Sequence, residues 1–181
     1  MRFSFEQRYD APADEVYAML TDRAFRDKVC VTGGALEHTV TITPAGDGIT
    51  AVVDQTLAAG GIPSFATKMV GDRIRVVQTE EWSVRTAASL DVVIPGKPAQ
   101  LRGDITLVPA GAGTVEKVDG DVKVNLPFVG GKLEKLIADL VQSALRNEER
   151  VGRDWLTGSA SPSAAAFPVR PPPERTSRRP R

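Results

Sequence analysis

The strongest periodic pattern in the chain lies between Pro127 and Leu156. Apolar residues recur there at spacings of three and four, which is typical of one face of an amphipathic helix. The apolar positions are Leu133, Leu136, Ile137, Leu140, Val141, Ala144, Leu145, Val151 and Trp155. A helix of about 25 residues is about 38 Å long, so it needs an equally long apolar surface as its partner.

Ahead of this helix the apolar residues alternate with polar ones, which predicts β-strands with one buried face. Seven alternating segments occur, the first in residues 2–10 and the others between residues 35 and 126. The positions expected to share the inner face are Phe3, Phe5, Gln7, Tyr9, Leu36, His38, Val40, Ile42, Ile49, Ala51, Val53, Gln55, Leu57, Ile74, Val76, Gln78, Glu80, Trp82, Val84, Leu90, Val92, Ile94, Leu101, Gly103, Ile105, Leu107, Val118, Gly120, Val122, Val124 and Leu126. Val115 is out of phase with the last segment and predicts a β-bulge there.

Two short helices are predicted between the first and second strands, in residues 11–20 and 23–29. Residues 58–69 contain Gly60, Gly61 and Pro63 and are expected to be irregular, with Ile62 and Phe65 suited to a lid. The order of the elements predicts an α+β fold, a seven-stranded curved antiparallel sheet around a long C-terminal helix.

Composition places these elements in one domain, residues 1–157, followed by a tail, 158–181, of Ser, Ala, Pro and Arg that we expect to be disordered. The 23 acidic and 23 basic residues cancel over the whole chain. Five of the arginines lie after residue 169, so the folded domain is net acidic and is not expected to bind nucleic acid. The partner of the basic tail stays open. No apolar run approaches the length of about 18 residues that a transmembrane segment needs, and no secretory signal is evident, so we expect a cytoplasmic protein. Cys30 and His38 are the single cysteine and histidine, so no disulfide, metal site or cofactor is expected.

Several stretches resemble a known superfamily. The opening FSFEQRYDAPADEVYAML, the two short helices, the six further strands and the closing helix are together similar to the START-like, or SRPBCC, superfamily. Within it, the segments VTGG (31–34), TEEW (79–82) and 127–133 resemble an uncharacterised actinobacterial domain family. The resemblance covers residues 1 to about 157. It implies a helix-grip fold with a cavity for a lipid, sterol or polyketide-like molecule; most members of known role bind or transport, and a minority catalyse.

Polar side chains interrupt the predicted inner face at five positions, Gln7, His38, Gln55, Gln78 and Glu80. Buried polar groups need a partner, water or a ligand, and an apolar pocket with a few polar groups is typical of a small-molecule site. The expected ligand-binding residues are Gln7, Tyr9, His38, Gln55, Gln78, Glu80, Trp82, Leu136 and Leu140.

Glu80 is the most informative of these residues, because a carboxylate facing a cavity could act as an acid or a base. With His38 or Gln78 it would suit a cyclase or hydratase. Alternatively, a shift of one residue would place Glu81 inside, and His38 would be an ordinary core or edge residue. Cys30 is expected to be a buried structural thiol. The leading hypothesis is therefore the binding of a hydrophobic molecule, with an enzyme using Glu80, or a non-catalytic interaction module, as alternatives.

Overall fold

Seven strands and four helices make up the described part of the chain, residues 1–60 and 62–158 of a computed structural model. The strands are β1 (Arg2–Tyr9), β2 (Ala35–Ala45), β3 (Gly48–Ala58), β4 (Arg73–Val84), β5 (Ala87–Val93), β6 (Ala99–Ala110) and β7 (Gly113–Val124). The helices are α1 (Ala13–Leu20), α2 (Arg23–Thr32), α3 (Ser64–Val70) and α4 (Gly130–Leu156). From residue 159 onward, the predicted tail lies outside the described residues.

The strands form one antiparallel sheet in the order β1-β7-β6-β5-β4-β3-β2. Each strand from β2 to β6 pairs with the next strand in sequence, and β1 pairs with β7. The helix-grip fold predicted from the strand periods and the closing helix is confirmed, including the two short helices between β1 and β2. The register also confirms most of the predicted phases, since Glu80 lies opposite Ala51 and Leu90 while Gln78 lies opposite Val53 and Val92.

Three predicted strand details are wrong. The pairing of β4 with β5 shifts between Trp82 and Val84, so Val84 is 54% exposed instead of facing inward. The pairing of β2 with β3 shifts between Ala35 and Glu37, so Leu36 leaves the ladder and is 50% exposed instead of facing inward. Conversely, β7 pairs without a shift on both sides, so the bulge predicted at Val115 is absent. Val115 instead pairs with Val108 of β6, which places the neighbouring Glu116 on the inner face.

The segment 58–69 is more regular than expected, because it contains α3. Pro63 precedes this helix, and Gly71, with φ of 79°, follows it. With ψ of −159°, Gly71 has a backbone conformation that essentially only glycine adopts, and the helix ends there. Ala66 of α3 packs in an apolar cluster with Val124 and Leu133 near the start of α4.

The main core lies between the sheet and the helices α1, α2 and α4. Helix α4 makes its principal contacts with β1, β7, α1 and α2. Edge-to-face aromatic pairs join Tyr17 to Trp82 and Phe25 to Trp155, with centroids 5.4 and 5.6 Å apart. Such pairs tie the short helices to the sheet and to α4. Among the described residues, no helix combines the length and the apolar character needed to cross a membrane.

Close approach of α4 to β1 depends on Gly152. A β-carbon at this position would lie 2.6 Å from Cε1 of Tyr9 and 3.0 Å from Cε of Met19. The Tyr9 ring cannot easily move aside, because the residue is 2% exposed and its hydroxyl accepts a hydrogen bond from Gln7 at 2.9 Å.

We therefore expect Gly152→Ala to destabilise the protein although alanine is the better helix former. Overpacking costs about 1–3 kcal/mol, which exceeds the gain of about 1 kcal/mol from helix propensity. The matched control is Gly131→Ala, also in α4, where a β-carbon would meet no atom within 4 Å. Urea unfolding should show the control to be neutral or more stable, and a stabilised Gly152→Ala would contradict the packing argument.

Candidate functional site

The core contains a buried ionic cluster. Arg26 of α2 lies at its centre. Its guanidinium Nη2 donates to Oε2 of Glu80 on β4 at 2.6 Å, and Nη1 donates to Oε2 of Glu148 on α4 at 3.1 Å. Nε donates to the carbonyl of Leu20 at 2.7 Å. Both salt-bridge partners are buried, with side-chain exposures of 3% for Glu80 and 10% for Glu148. One side chain therefore joins the helical layer to the sheet and to α4.

Glu80 accepts hydrogen bonds on both carboxylate oxygens. Oε2 accepts from Trp82 Nε1 at 2.9 Å as well as from Arg26, and Oε1 accepts from Gln78 Nε2 at 2.7 Å. The charge-assisted bond to the guanidinium is of the strong class. This geometry suits a structural ion-pair acceptor, held by groups of the protein itself.

Three further polar residues extend the cluster toward β1 and β7. Gln7 Nε2 donates to the Tyr9 hydroxyl at 2.9 Å and to Glu148 Oε1 at 3.3 Å. Glu116 lies directly opposite Gln7 in the pairing of β1 with β7. Glu116 Oε2 and Gln7 Oε1 are both buried and have no hydrogen-bond partner within the described part of the chain. Orphaned buried acceptors are costly, so this corner needs an additional hydrogen-bond donor.

The charge balance of the cluster indicates where that donor comes from. Three buried carboxyl groups, Glu80, Glu116 and Glu148, face one guanidinium. Burial raises the pKa of the Glu116 carboxyl well above its usual value, and the nearby Glu148 and Glu80 raise it further. Burial also raises the pKa of Glu148, although Arg26 opposes this. The neutral form of Glu116 is thus favoured, and its carboxyl proton would supply a hydrogen-bond donor on the residue directly paired with Gln7.

The same environment shifts the pKa values of Arg26 and Tyr9. Although burial alone would lower the pKa of the Arg26 guanidinium, the Glu80 and Glu148 carboxylates raise it. Burial raises the pKa of the Tyr9 phenol well above 10, and Glu116 and Glu148 add to this effect. Tyr9 is therefore a neutral hydroxyl, and Arg26 is a fixed positive charge.

The structure brings together five of the predicted site residues, Gln7, Tyr9, Gln78, Glu80 and Trp82, in and around this cluster. It does not bring His38 to Glu80. His38 of β2 pairs with Gln55 of β3, which pairs with Val76 of β4. Val76 is four residues, or about 13 Å along the strand, from Glu80. His38 Nε2 lies instead 3.3 Å from Oδ1 of Asp27 on α2.

The remaining predicted residues lie away from the ionic cluster. Gln55 is half-buried opposite His38, and on α4 Leu136 is half-buried while Leu140 is 47% exposed. The expectation of a buried thiol is confirmed: Cys30 is 4% exposed, and burial raises its pKa to about 11.

Sequence reasoning missed three members of the cluster, Arg26, Glu116 and Glu148, although two of them carried a signal. Glu116 precedes Val118 by two residues and is in phase with it, but Val115 obscured the alternation. Glu148 lies three residues before Val151 and so falls on the apolar stripe of α4. Arg26 follows Phe25 on α2, and no periodic pattern in the sequence predicted that it would be buried.

Beside the cluster, the inner face of the sheet and the apolar stripe of α4 both carry side chains that are not completely buried. In β3, β4 and β5 and directly after β5, these are half-buried aliphatic residues, namely Leu57, Ile74, Val76, Val92 and Ile94. On α4 they are the half-buried Leu136, Ile137 and Val141 and the exposed Leu140. Helix α4 approaches β1, β7, α1 and α2 most closely, whereas the backbones of β2 to β5 lie farther from it.

Two grooves lie elsewhere on the molecule. One of about 500 Å³ is lined by β1, β6 and β7, and another of about 740 Å³ is lined by β2 to β6 near Trp82. Their lining includes outward-facing residues such as Asp104 and Glu81, and neither groove includes a residue of α4.

Solved structures share this architecture at low sequence identity. A START superfamily protein from Mycobacterium smegmatis superposes with a TM-score of 0.61 at 15% identity, covering 86% of this chain and 98% of that one. Norcoclaurine synthase from Thalictrum flavum, in complex with dopamine and hydroxybenzaldehyde, superposes with a TM-score of 0.58 at 16% identity. The match covers 90% of this chain and 88% of that one. At such identities the likeness shows the fold alone.

Sequence comparison identifies the protein family. An uncharacterized protein of Mycobacterium tuberculosis is 26% identical over 121 residues, which is 62% of this chain and 69% of the relative. The family described as "Protein of unknown function (DUF2505)" matches residues 4–156, nearly the whole described chain. The protein is thus a member of the DUF2505 family, built on a START/SRPBCC fold.

Proposed function

We propose that this protein binds a small hydrophobic molecule between the concave face of the sheet and α4. The observation that carries the proposal is that the inner face of β3 to β5 and the apolar stripe in the middle of α4 both have side chains that are only partly buried. Leu140, at 47% exposure on the apolar stripe of α4, is the clearest example. Apolar surface left incompletely covered in a concave region is a common mark of a ligand site.

The ionic cluster defines one end of this proposed site. Because the donors of Arg26 and both oxygens of Glu80 already have partners, we assign the cluster a structural role. A polar group on the ligand would meet Gln78 and Gln55, which are half-buried on neighbouring strands. The fold class supports this proposal, since START/SRPBCC folds typically bind hydrophobic ligands. The small aromatic molecules bound to norcoclaurine synthase suggest a size range to screen first.

Catalysis by Glu80 and His38 is not favoured by this geometry, because they lie on different rows of the sheet. We therefore keep binding as the proposed function.

Filling the proposed site should weaken binding of the ligand without unfolding the protein. Val76→Phe adds bulk on the inner face of β4, where Val76 is only half-buried. The matched control is Val77→Phe, the adjacent half-buried valine on the opposite face. The protein would first be screened against fatty acids, sterols and aromatic polyketides by native mass spectrometry and thermal shift.

For a compound found in that screen, we expect Val76→Phe to weaken binding about tenfold or more and Val77→Phe to leave it unchanged. Equal affinities for the two variants would place the ligand elsewhere. If no compound in any class binds, the proposal itself fails.

A further inference from the structure

One large apolar side chain on the surface stands in a strained conformation. Phe128, in the connection from β7 to α4, is fully exposed, and its φ of 66° lies in the left-handed region. It is the one non-glycine residue with positive φ among those the structure describes. A phenylalanine gains nothing from burial here and is conformationally costly, so its position calls for an explanation outside the fold.

A second exposed aromatic residue lies at the same end of the molecule. Phe65 of α3 is 38% exposed, and its neighbour Ala66 is buried in the apolar cluster that also contains Leu126 and Val129, on either side of Phe128. The two phenylalanines thus extend outward from one supporting cluster. We call this surface, made of Phe65, Phe128 and the first turns of α4, the aromatic tip.

The aromatic tip is positively charged. Lys132 and Lys135 are exposed in the first turns of α4, and Lys123 is exposed at the end of β7. Lys135 also pairs with Asp139 at 2.9 Å. The first turn of α4 contains no acidic residue, and no side chain caps it. The dipole of this 27-residue helix therefore adds positive potential at the same place.

Acidic groups near the tip are already engaged. Glu134 accepts a hydrogen bond from the backbone N–H of Val124 at 3.1 Å and pairs with the amino terminus of Met1 at 3.4 Å. These contacts direct its carboxylate back toward the sheet, so it offsets little of the charge presented by the lysines.

We propose that the aromatic tip docks the protein on an anionic phospholipid bilayer. Phe128 and Phe65 would enter the interfacial region while Lys132 and Lys123 approach lipid phosphates. Isolated projecting aromatics flanked by lysines match a lipid interface, where apolar burial and attraction to anionic headgroups act together. A protein partner would instead be expected to meet a broad, shape-complementary patch. Docking is a separate property from the ligand binding proposed above and needs no bound ligand.

Cosedimentation with vesicles tests the proposal using the full chain. Vesicles of phosphatidylcholine alone would be compared with vesicles of equal parts phosphatidylcholine and phosphatidylglycerol. We expect binding to the anionic vesicles, weakened by salt, and little binding to the neutral ones.

Phe128→Gly separates binding from folding, because glycine accepts the left-handed backbone without strain. We expect this variant to be at least as stable as the parent protein and to bind anionic vesicles about tenfold more weakly. Lys132→Glu should weaken binding about fivefold or more. Val84→Ser is the control, since Val84 is 54% exposed at the turn between β4 and β5, away from the tip.

Several outcomes would overturn the proposal. These are equal binding by Phe128→Gly and the parent, equal loss in Val84→Ser, or no sedimentation with either vesicle. Competition by soluble glycerol phosphate that fully displaces the vesicles would point instead to a site for a free anion. Ligand binding can be measured separately in the same variants, so failure of docking leaves that result intact.

Discussion

Replacing Arg26 with methionine is expected to lower the free energy of unfolding by about 3–5 kcal/mol, a large part of the stability of an ordinary domain. The substitution preserves bulk but leaves Glu80 and Glu148 buried without their counter-charge. It also removes the donor to the Leu20 carbonyl. Urea unfolding of both proteins at neutral pH measures the difference.

Arg75→Met is a stringent control for this result. Arg75 and Asp54 also approach to 2.6 Å, but their side chains are 60% and 33% exposed. Because water solvates these partners once the pair is broken, we expect almost no change in the urea midpoint. Equal losses in the two variants would show that burial of the Arg26 cluster does not matter.

The loss of stability in Arg26→Met should arise mainly because Glu80 and Glu148 remain buried without a counter-charge. The loss of side-chain contacts should matter less. Adding Glu80→Gln and Glu148→Gln to Arg26→Met removes those charges while retaining similar side-chain shapes. The triple variant is therefore expected to be more stable than Arg26→Met alone. If it is less stable, hydrogen bonds accepted by the carboxylates, such as that from Trp82, carry more of the energy than their charge does.

The fold was predictable because its elements have regular periods that burial enforces. The alternation along β3 and β4 fixed which residues face inward, and the structure places Gln78 and Glu80 on that face. The stripe along α4 likewise identified the helix that crosses the sheet. The predictions failed where a single residue departs from the alternating pattern. Leu36 lies outside the ladder at a register shift, and the apolar Val115 hid the fact that Glu116 faces inward.

The ionic cluster was harder to predict because it is assembled from residues distant in sequence. Arg26 and Glu80 are 54 residues apart, and Arg26 and Glu148 are 122 apart. A buried arginine on a short helix has no periodic signature, and only its partners reveal why burial is tolerated. Recognising charged residues on apolar stripes, as for Glu148, would have identified one side of the cluster. The matching positive charge required the tertiary structure.

Glu116→Gln is expected to remove much of the pH dependence of stability above pH 4.5, the ordinary value for this carboxyl. Its pKa is raised in the folded state, chiefly by burial, so the folded protein holds a proton that the unfolded chain releases. The stability due to this proton is fully present below the unfolded value. It is lost as pH rises through the folded value, at about 1.4 kcal/mol per pH unit. The parent protein should thus be more stable in mild acid than in mild alkali.

Glutamine imitates the protonated carboxyl and cannot ionise, so the variant should lose this slope and exceed the parent in stability at alkaline pH. Glu148, whose pKa is also raised by burial, would leave a smaller slope of the same sign. Urea unfolding at a series of pH values from about 5 to about 9 measures both curves. Glu81→Gln is the control, because Glu81 is exposed on the outer face of β4 and should keep the slope of the parent. Parallel curves for the parent and Glu116→Gln would mean that Glu116 is ionised in the folded protein, and that Gln7 Oε1 obtains its donor from another group.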